Sequence, residues 1–215
     1  MVKSIDDALG QILDALERLD LRENTIVVFT SDHGDFAGEH GMVRKGGVFY
    51  DCLTKVPLIF SVPGLISQGG KEASMANLVD IVPTVFEFQG IEIPDSMEGQ
   101  PLPSATDAKP REYTFSEYGR GGPAFTFDDP DKFLAPYGSN ALLNTLKERE
   151  AEGLRKMVCS KAGKYVHDPM GDLDELYYLE SDPWELQNLA GKPDYSDKEA
   201  ELRAVLSAWS DEVPE

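Results

Sequence analysis

The sequence predicts an α/β protein, in which a partial central sheet flanked by helices is followed by a small C-terminal antiparallel sheet and a closing helix. Three observations carry this. Ile5, Leu9, Ile12, Leu13, Leu16 and Leu19 recur at three- and four-residue intervals, the apolar stripe of an amphipathic helix. The run Thr25-Ile26-Val27-Val28-Phe29-Thr30 is apolar between its threonines and rich in β-branched residues, as in a central parallel strand covered by helices on both faces. A second apolar run, Val56 to Val62, ends at Pro63-Gly64, a strand closed by a turn.

Taken in order, Ser4 is the expected cap of the first helix, with Asp6 and Asp7 in its first turn where they oppose the helix dipole. This helix is expected to pack on the sheet. Val79 to Phe88 reads as a short helix that tolerates Pro83 in its first turn. Pro94 to Pro110 shifts to Pro, Ser, Asp and Ala, an exposed connection, and Tyr113 to Tyr118 reads as a strand. Gly121 to Ser139 looks like an irregular insertion, in which Phe125, Phe127, Phe133 and Tyr137 suit a hydrophobic core or a substrate pocket, core being favoured. Leu142 to Gly153 has helical composition. Leu154 to His167 and Leu176 to Leu179 fit the small antiparallel sheet, and Asp197 to Trp209 fits the closing helix. The expected division places the α/β part in residues 1–120 and the insertion with a small α+β subdomain in 121–215.

The chemistry concentrates after the first strand, in Ser31-Asp32-His33-Gly34. Open α/β sheets place their ligands at the carboxyl ends of strands. A carboxylate next to an imidazole suits a divalent cation, and Gly34 permits an unusual turn. The residues alone also allow a plainer reading, with Asp32 capping the next turn and His33 as a loop residue. Downstream, Lys45 sits in a glycine-rich stretch, either as a solvated side chain or as the cation that holds an anionic group beside a metal. His40, in the same loop, is a weaker candidate for contact with a leaving group.

The segment Thr25 to Lys45, TIVVFTSDHGDFAGEHGMVRK, resembles the second conserved block of the sulfatase family, within the alkaline phosphatase superfamily. Ile5 to Leu16, Glu23 to Thr25, Lys55 to Phe60 and Leu78 to Thr84 resemble the helix, strand entry, strand and helix around that block. Leu176 to Glu185 with Asn188-Leu189-Ala190 is similar to the family's C-terminal signature. Met97 to Leu102 resembles a further family loop, with Glu98 and Gln100 as departures.

The resemblance implies that Asp32 and His33 are metal ligands and that Lys45 is a catalytic and substrate-binding residue meeting sulfate or phosphoryl oxygens. It implies calcium, with manganese or magnesium as alternatives. His33 stands where many members have Asn, and the His form recurs in choline-sulfatase-like, iduronate-sulfatase-like and phosphonate-monoester-hydrolase-like members. The family nucleophile is formylglycine, made from the Cys or Ser of a C/S-x-P/A-x-R motif, and neither Cys52, Cys159 nor any Ser supplies that motif here. The chain therefore resembles a C-terminal portion of such an enzyme, expected to be inactive alone and to require a companion N-terminal half or self-association. The substrate implied is a small sulfate, phosphate or phosphonate ester; a non-catalytic remnant or binding module is the other class of reading.

A formal charge of -19 argues against nucleic acid and anionic membrane surfaces as partners. Two well-separated Cys give no disulfide framework, which slightly favours the cytoplasm. No signal peptide or membrane-spanning run is visible.

Overall fold

The computed structural model describes residues 2–67, 69–103, 105, 109–119, 155–169 and 174–210. The chain divides into two compact units, one formed by Met1–Asp32 with Pro57–Pro110, the other by His33–Val56 with Arg111–Glu215. The insertion, its four aromatics and the helix expected over residues 142–153 lie outside the described residues.

In the first unit, α1 spans Val2–Arg18. It begins before Ser4, so Ser4, Asp6 and Asp7 lie inside the helix rather than at its cap, and Lys3 pairs with Asp7 one turn on at 3.0 Å. None of its residues is buried. Leu9, Leu13 and Leu16 are half-covered, whereas Ile5, Ile12 and Leu19 are more than half exposed, so the stripe expected on the sheet is largely open.

Strand β1, Val27–Thr30, pairs antiparallel with β4, Leu58–Ser61, with Val28 opposite Phe60. The expected parallel partner is not among the described residues. An apolar run specifies burial on both faces, not the direction of its neighbour, and β1 is half-buried here. Arg22 reaches across to donate to Ser61 Oγ at 2.5 Å, tying the entry of β1 to the end of β4.

Helix α3, Ile81–Gln89, holds Pro83 in its first turn as its missing N–H requires, and ends on Gly90 in the left-handed region. Asp80, fully buried, accepts from the backbone N–H groups of Asn77 at 2.8 Å and Gln100 at 3.0 Å. Thr84 Oγ1 accepts from Leu102 N–H at 3.0 Å. The loop around residues 99–102 is thereby fastened to the start of α3.

The second unit contains a four-stranded antiparallel meander of β5 (Thr114–Tyr118), β6 (Arg155–Cys159), β7 (Gly163–His167) and β8 (Glu175–Tyr178). The C-terminal helix α4, Ser196–Trp209, covers one face. Strand alternation sorts the two faces. Val158, Tyr165 and Leu176 form the core with Leu189, Leu202 and Leu206, while Phe115 stacks on Trp209 at 4.8 Å between ring centres. Arg155, Lys164 and Tyr177 occupy the opposite face together with Met157 and Val166, so the sheet is covered on both sides although its second face buries charged side chains among the apolar ones. Strand β5 joins this sheet through β6, pairing Phe115 with Val158.

A candidate metal and anion site on a glycine-anchored loop

The loop that carries the candidate residues of the second unit runs from His33 to the short helix α2, Asp51–Thr54. Within it, β2 (Phe36–Ala37) and β3 (Val43–Arg44) form a small hairpin, Phe36 opposite Arg44. The turn between them holds His40 in left-handed backbone, and Arg44, at the end of β3, is left-handed too, which is unusual for residues with side chains. Arg44 is thus a bend directly before Lys45.

Gly34 is the fixed point of the loop. Its N–H donates to Leu53 O at 2.8 Å, and a Cβ on it would lie 1.9 Å from Cys52 O. The backbone of Gly34 is not left-handed. The glycine serves close approach of two main chains rather than the unusual turn read from the sequence.

His33, half-buried, has both ring nitrogens engaged: Nδ1 lies 2.7 Å from Gly34 O and Nε2 lies 2.7 Å from Lys45 Nζ. A carbonyl oxygen only accepts and an ammonium only donates. The proton is therefore on Nδ1, and Nε2 presents its lone pair to Lys45. A metal-binding imidazole usually has this arrangement, the far nitrogen donating to a backbone carbonyl.

Asp32 is exposed and ends the first unit; Ser31 Oγ donates to its Oδ1 at 3.4 Å. His40 is stacked on Tyr50 at 3.8 Å between ring centres, with Phe36 edge-on to both. Packing in an aromatic cluster accounts for His40. Among the described residues, no group of three or more His, Cys, Asp or Glu side chains could hold a metal ion. His33 thus fits a ligand by tautomer, and Asp32 by chemistry, but two donors fill only part of the six or more positions a hard cation such as calcium takes.

Behind the loop lies a buried set of charges that the sequence reading did not single out. Lys164 Nζ, on β7, donates to Glu185 Oε1 at 2.6 Å, Asp51 Oδ1 at 2.6 Å and Phe49 O at 2.8 Å. Glu185 Oε2 accepts from Asp51 N–H at 2.6 Å. Burial alone would lower the Lys164 pKa, but the carboxylates of Glu185 and Asp51 reverse this and hold it above the ordinary lysine value. Arg155 adds a bond to Gly47 O at 3.0 Å and an ion pair with Glu175 at 2.8 Å. The legible signal is a lysine inside Gly163-Lys164-Tyr165-Val166-His167, a strand too apolar around it to leave a charge unpaired.

The chain is similar to known proteins along most of its length. Residues 1–91 match the family model Sulfatase. The chain is 28% identical over 207 residues to an N-acetylglucosamine-6-O-sulfatase of Bacteroides thetaiotaomicron, covering 95% of this chain and 33% of that protein. It is 31% identical to an arylsulfatase of Clostridium perfringens, covering 95% and 37%. The solved phosphonate monoester hydrolase of Agrobacterium radiobacter superposes with a TM-score of 0.74 at 28% identity, over 97% of this chain and 40% of that one.

The fold is therefore of the alkaline-phosphatase-like α/β class. Within that superfamily the chain belongs to the sulfatase family, whose members generally use a divalent metal. It spans about a third of the length of the curated relatives it matches. Among the described residues, no helix is long and apolar enough to cross a membrane.

Proposed function

We infer that this chain carries the metal- and anion-facing loop of a sulfuric ester hydrolase. Asp32 and His33 are two ligands of a divalent cation, calcium by family with manganese or magnesium as alternatives, and Lys45 meets the sulfate oxygens. The observation that most directly supports this is that Lys45 Nζ lies 2.7 Å from His33 Nε2, so the anion-binding ammonium stands beside the imidazole; a cation held by His33 would take the Nε2 lone pair and leave Lys45 free to meet the sulfate oxygens.

A bound cation supplies Lewis acidity toward an ester oxygen. The remaining roles belong to the chain's own groups. The Nδ1–H to Gly34 O bond holds the His33 tautomer, the Gly34 N–H bond to Leu53 O holds the backbone beside the ring, and Lys45 offsets charge on the non-bridging oxygens as the ester bond breaks. The C/S-x-P/A-x-R nucleophile is absent from the sequence. Hydrolysis thus belongs to an assembly completed by a companion segment or a second chain, and the open faces of α1 and β1 are where such a partner would sit in the first unit.

A second reading makes the ester a phosphonate or phosphate, favoured by His33 and by the Agrobacterium likeness. A non-catalytic binding module is the third. Manganese titration followed by line broadening of His33 tests the metal: saturable binding, weakened about tenfold or more by Asp32→Ala, is expected. Absence of broadening at His33 overturns the reading in favour of the module. With calcium bound in place of manganese, inorganic sulfate should perturb the Lys45 resonances; a stronger effect of methylphosphonate would favour the second reading.

A further inference from the structure

Lys164, Glu185 and Asp51 stand one step behind the candidate site, and their arrangement is costlier than a core of that size needs. The Lys164 and Glu185 side chains are 1% and 2% exposed. Replacing such an ion pair by apolar residues often leaves stability unchanged or raises it, so the pair is weak evidence of a purely stabilising role. Glu185 also holds left-handed backbone at φ 55, a conformation that costs a non-glycine residue free energy and persists where its surroundings over-determine it.

The bonds of this set converge on one target. All three N–H donors of Lys164 are used, two of them on Phe49 O and Asp51 Oδ1, and Glu185 takes the N–H of Asp51. Three contacts therefore fix the chain from residue 49 to the first turn of α2, and the Lys164–Glu185 bond ties the two groups that make them. The same turn supplies Cys52 O and Leu53 O, the two carbonyls against which Gly34 rests. Gly34 O in turn holds His33 Nδ1, and His33 Nε2 meets Lys45. The path from β7 to the imidazole runs through short polar contacts joined by the backbone of α2, all within one unit.

We propose that Lys164, acting through Glu185 and Asp51, is the positioning residue of the His33–Lys45 pair: the buried ammonium sets the place of α2, and α2 sets the place and tautomer of the His33 ring. This rests on the reading of that loop as the reacting site. It adds a device by which the C-terminal sheet controls the loop. Loss of the ammonium frees α2 to shift, Gly34 loses its carbonyl partner, and the Nδ1 bond of His33 loosens while the meander stays folded.

The test uses the whole chain with Lys164→Met and Glu185→Gln, read by amide hydrogen exchange and by the ring ¹⁵N shifts of His33 at one pH. Gly34 exchange is expected to speed by about tenfold or more, with displaced His33 shifts, while the amides of the β6–β7 ladder keep their protection. Unchanged Gly34 exchange overturns the proposal, and so does acceleration that the ladder amides share equally, since that marks general destabilisation. Should Lys164→Met not fold, Glu185→Gln decides by the same comparison. Manganese broadening of the wild-type chain reports separately on the metal reading, so failure of that reading and failure of the positioning role give different results.

Discussion

Gly34 was legible as a special residue, but for the wrong physical cause. A glycine after Asp-His suggests a turn, whereas the position is reserved by a carbonyl oxygen contributed by residue 52, which local sequence does not reveal. Gly34→Ala is expected to destabilise the second unit by about 1–3 kcal/mol, the usual cost of forcing atoms into a filled space, read as a lower urea midpoint. Asp174 offers a test by pH. Burial would raise its pKa, but His167 at 3.3 Å, the Tyr165 hydroxyl at 2.5 Å and the Asp168 N–H outweigh it, bringing the carboxyl from 3.8 down to about 2. A folded-state value below the unfolded one stabilises at neutral pH, and the benefit is lost as pH falls through about 4 to about 2. With 18% of the side chain exposed, solvent screening trims the contribution to about 1–2 kcal/mol. Thermal melts from pH 6 to about pH 2 should show this acid-side loss, and Asp174→Asn should flatten it.

Elements with their own periodicity were read well. The strands read within Leu154 to His167 and Leu176 to Leu179, and the helix read at Asp197 to Trp209, lie where the sequence placed them, because each buries an apolar face within its own unit. The start of α1 was misplaced: a Ser followed by acids resembles a cap, yet the helix continues through Val2 and Lys3. The connection after α3 reads from composition as an exposed linker, but residues 100 and 102 bond to Asp80 and Thr84. Asp80→Ala removes the acceptor of two backbone N–H groups at once and should cost about 2 kcal/mol in denaturant unfolding of the first unit, with a smaller loss for Asp80→Asn, which keeps one acceptor oxygen. An equal loss in both variants would show that the charge, not the acceptors, matters there.

For the whole molecule, the open apolar stripe of α1 and the half-buried β1 predict association: sedimentation is expected to show dimers or larger species, and a monodisperse monomer would count against a missing partner. The chain by itself should not turn over sulfate esters above background, because no residue supplies the nucleophile motif; measurable turnover abolished by Lys45→Ala would overturn that expectation. By itself the sequence determined the α/β class, the family resemblance and the order of the main helices and strands, and it nominated Asp32, His33 and Lys45 as candidates, since these depend on local pattern and on residue chemistry. Only the tertiary structure decided that β1 pairs antiparallel with β4, that Lys45 meets the His33 ring, that Gly34 is held by α2, and that Lys164 and Glu185 stand behind them. Each of these is a contact between residues distant in the chain, settled by which backbones can approach and which buried charges must be paired, and neither condition is written in any local stretch of sequence.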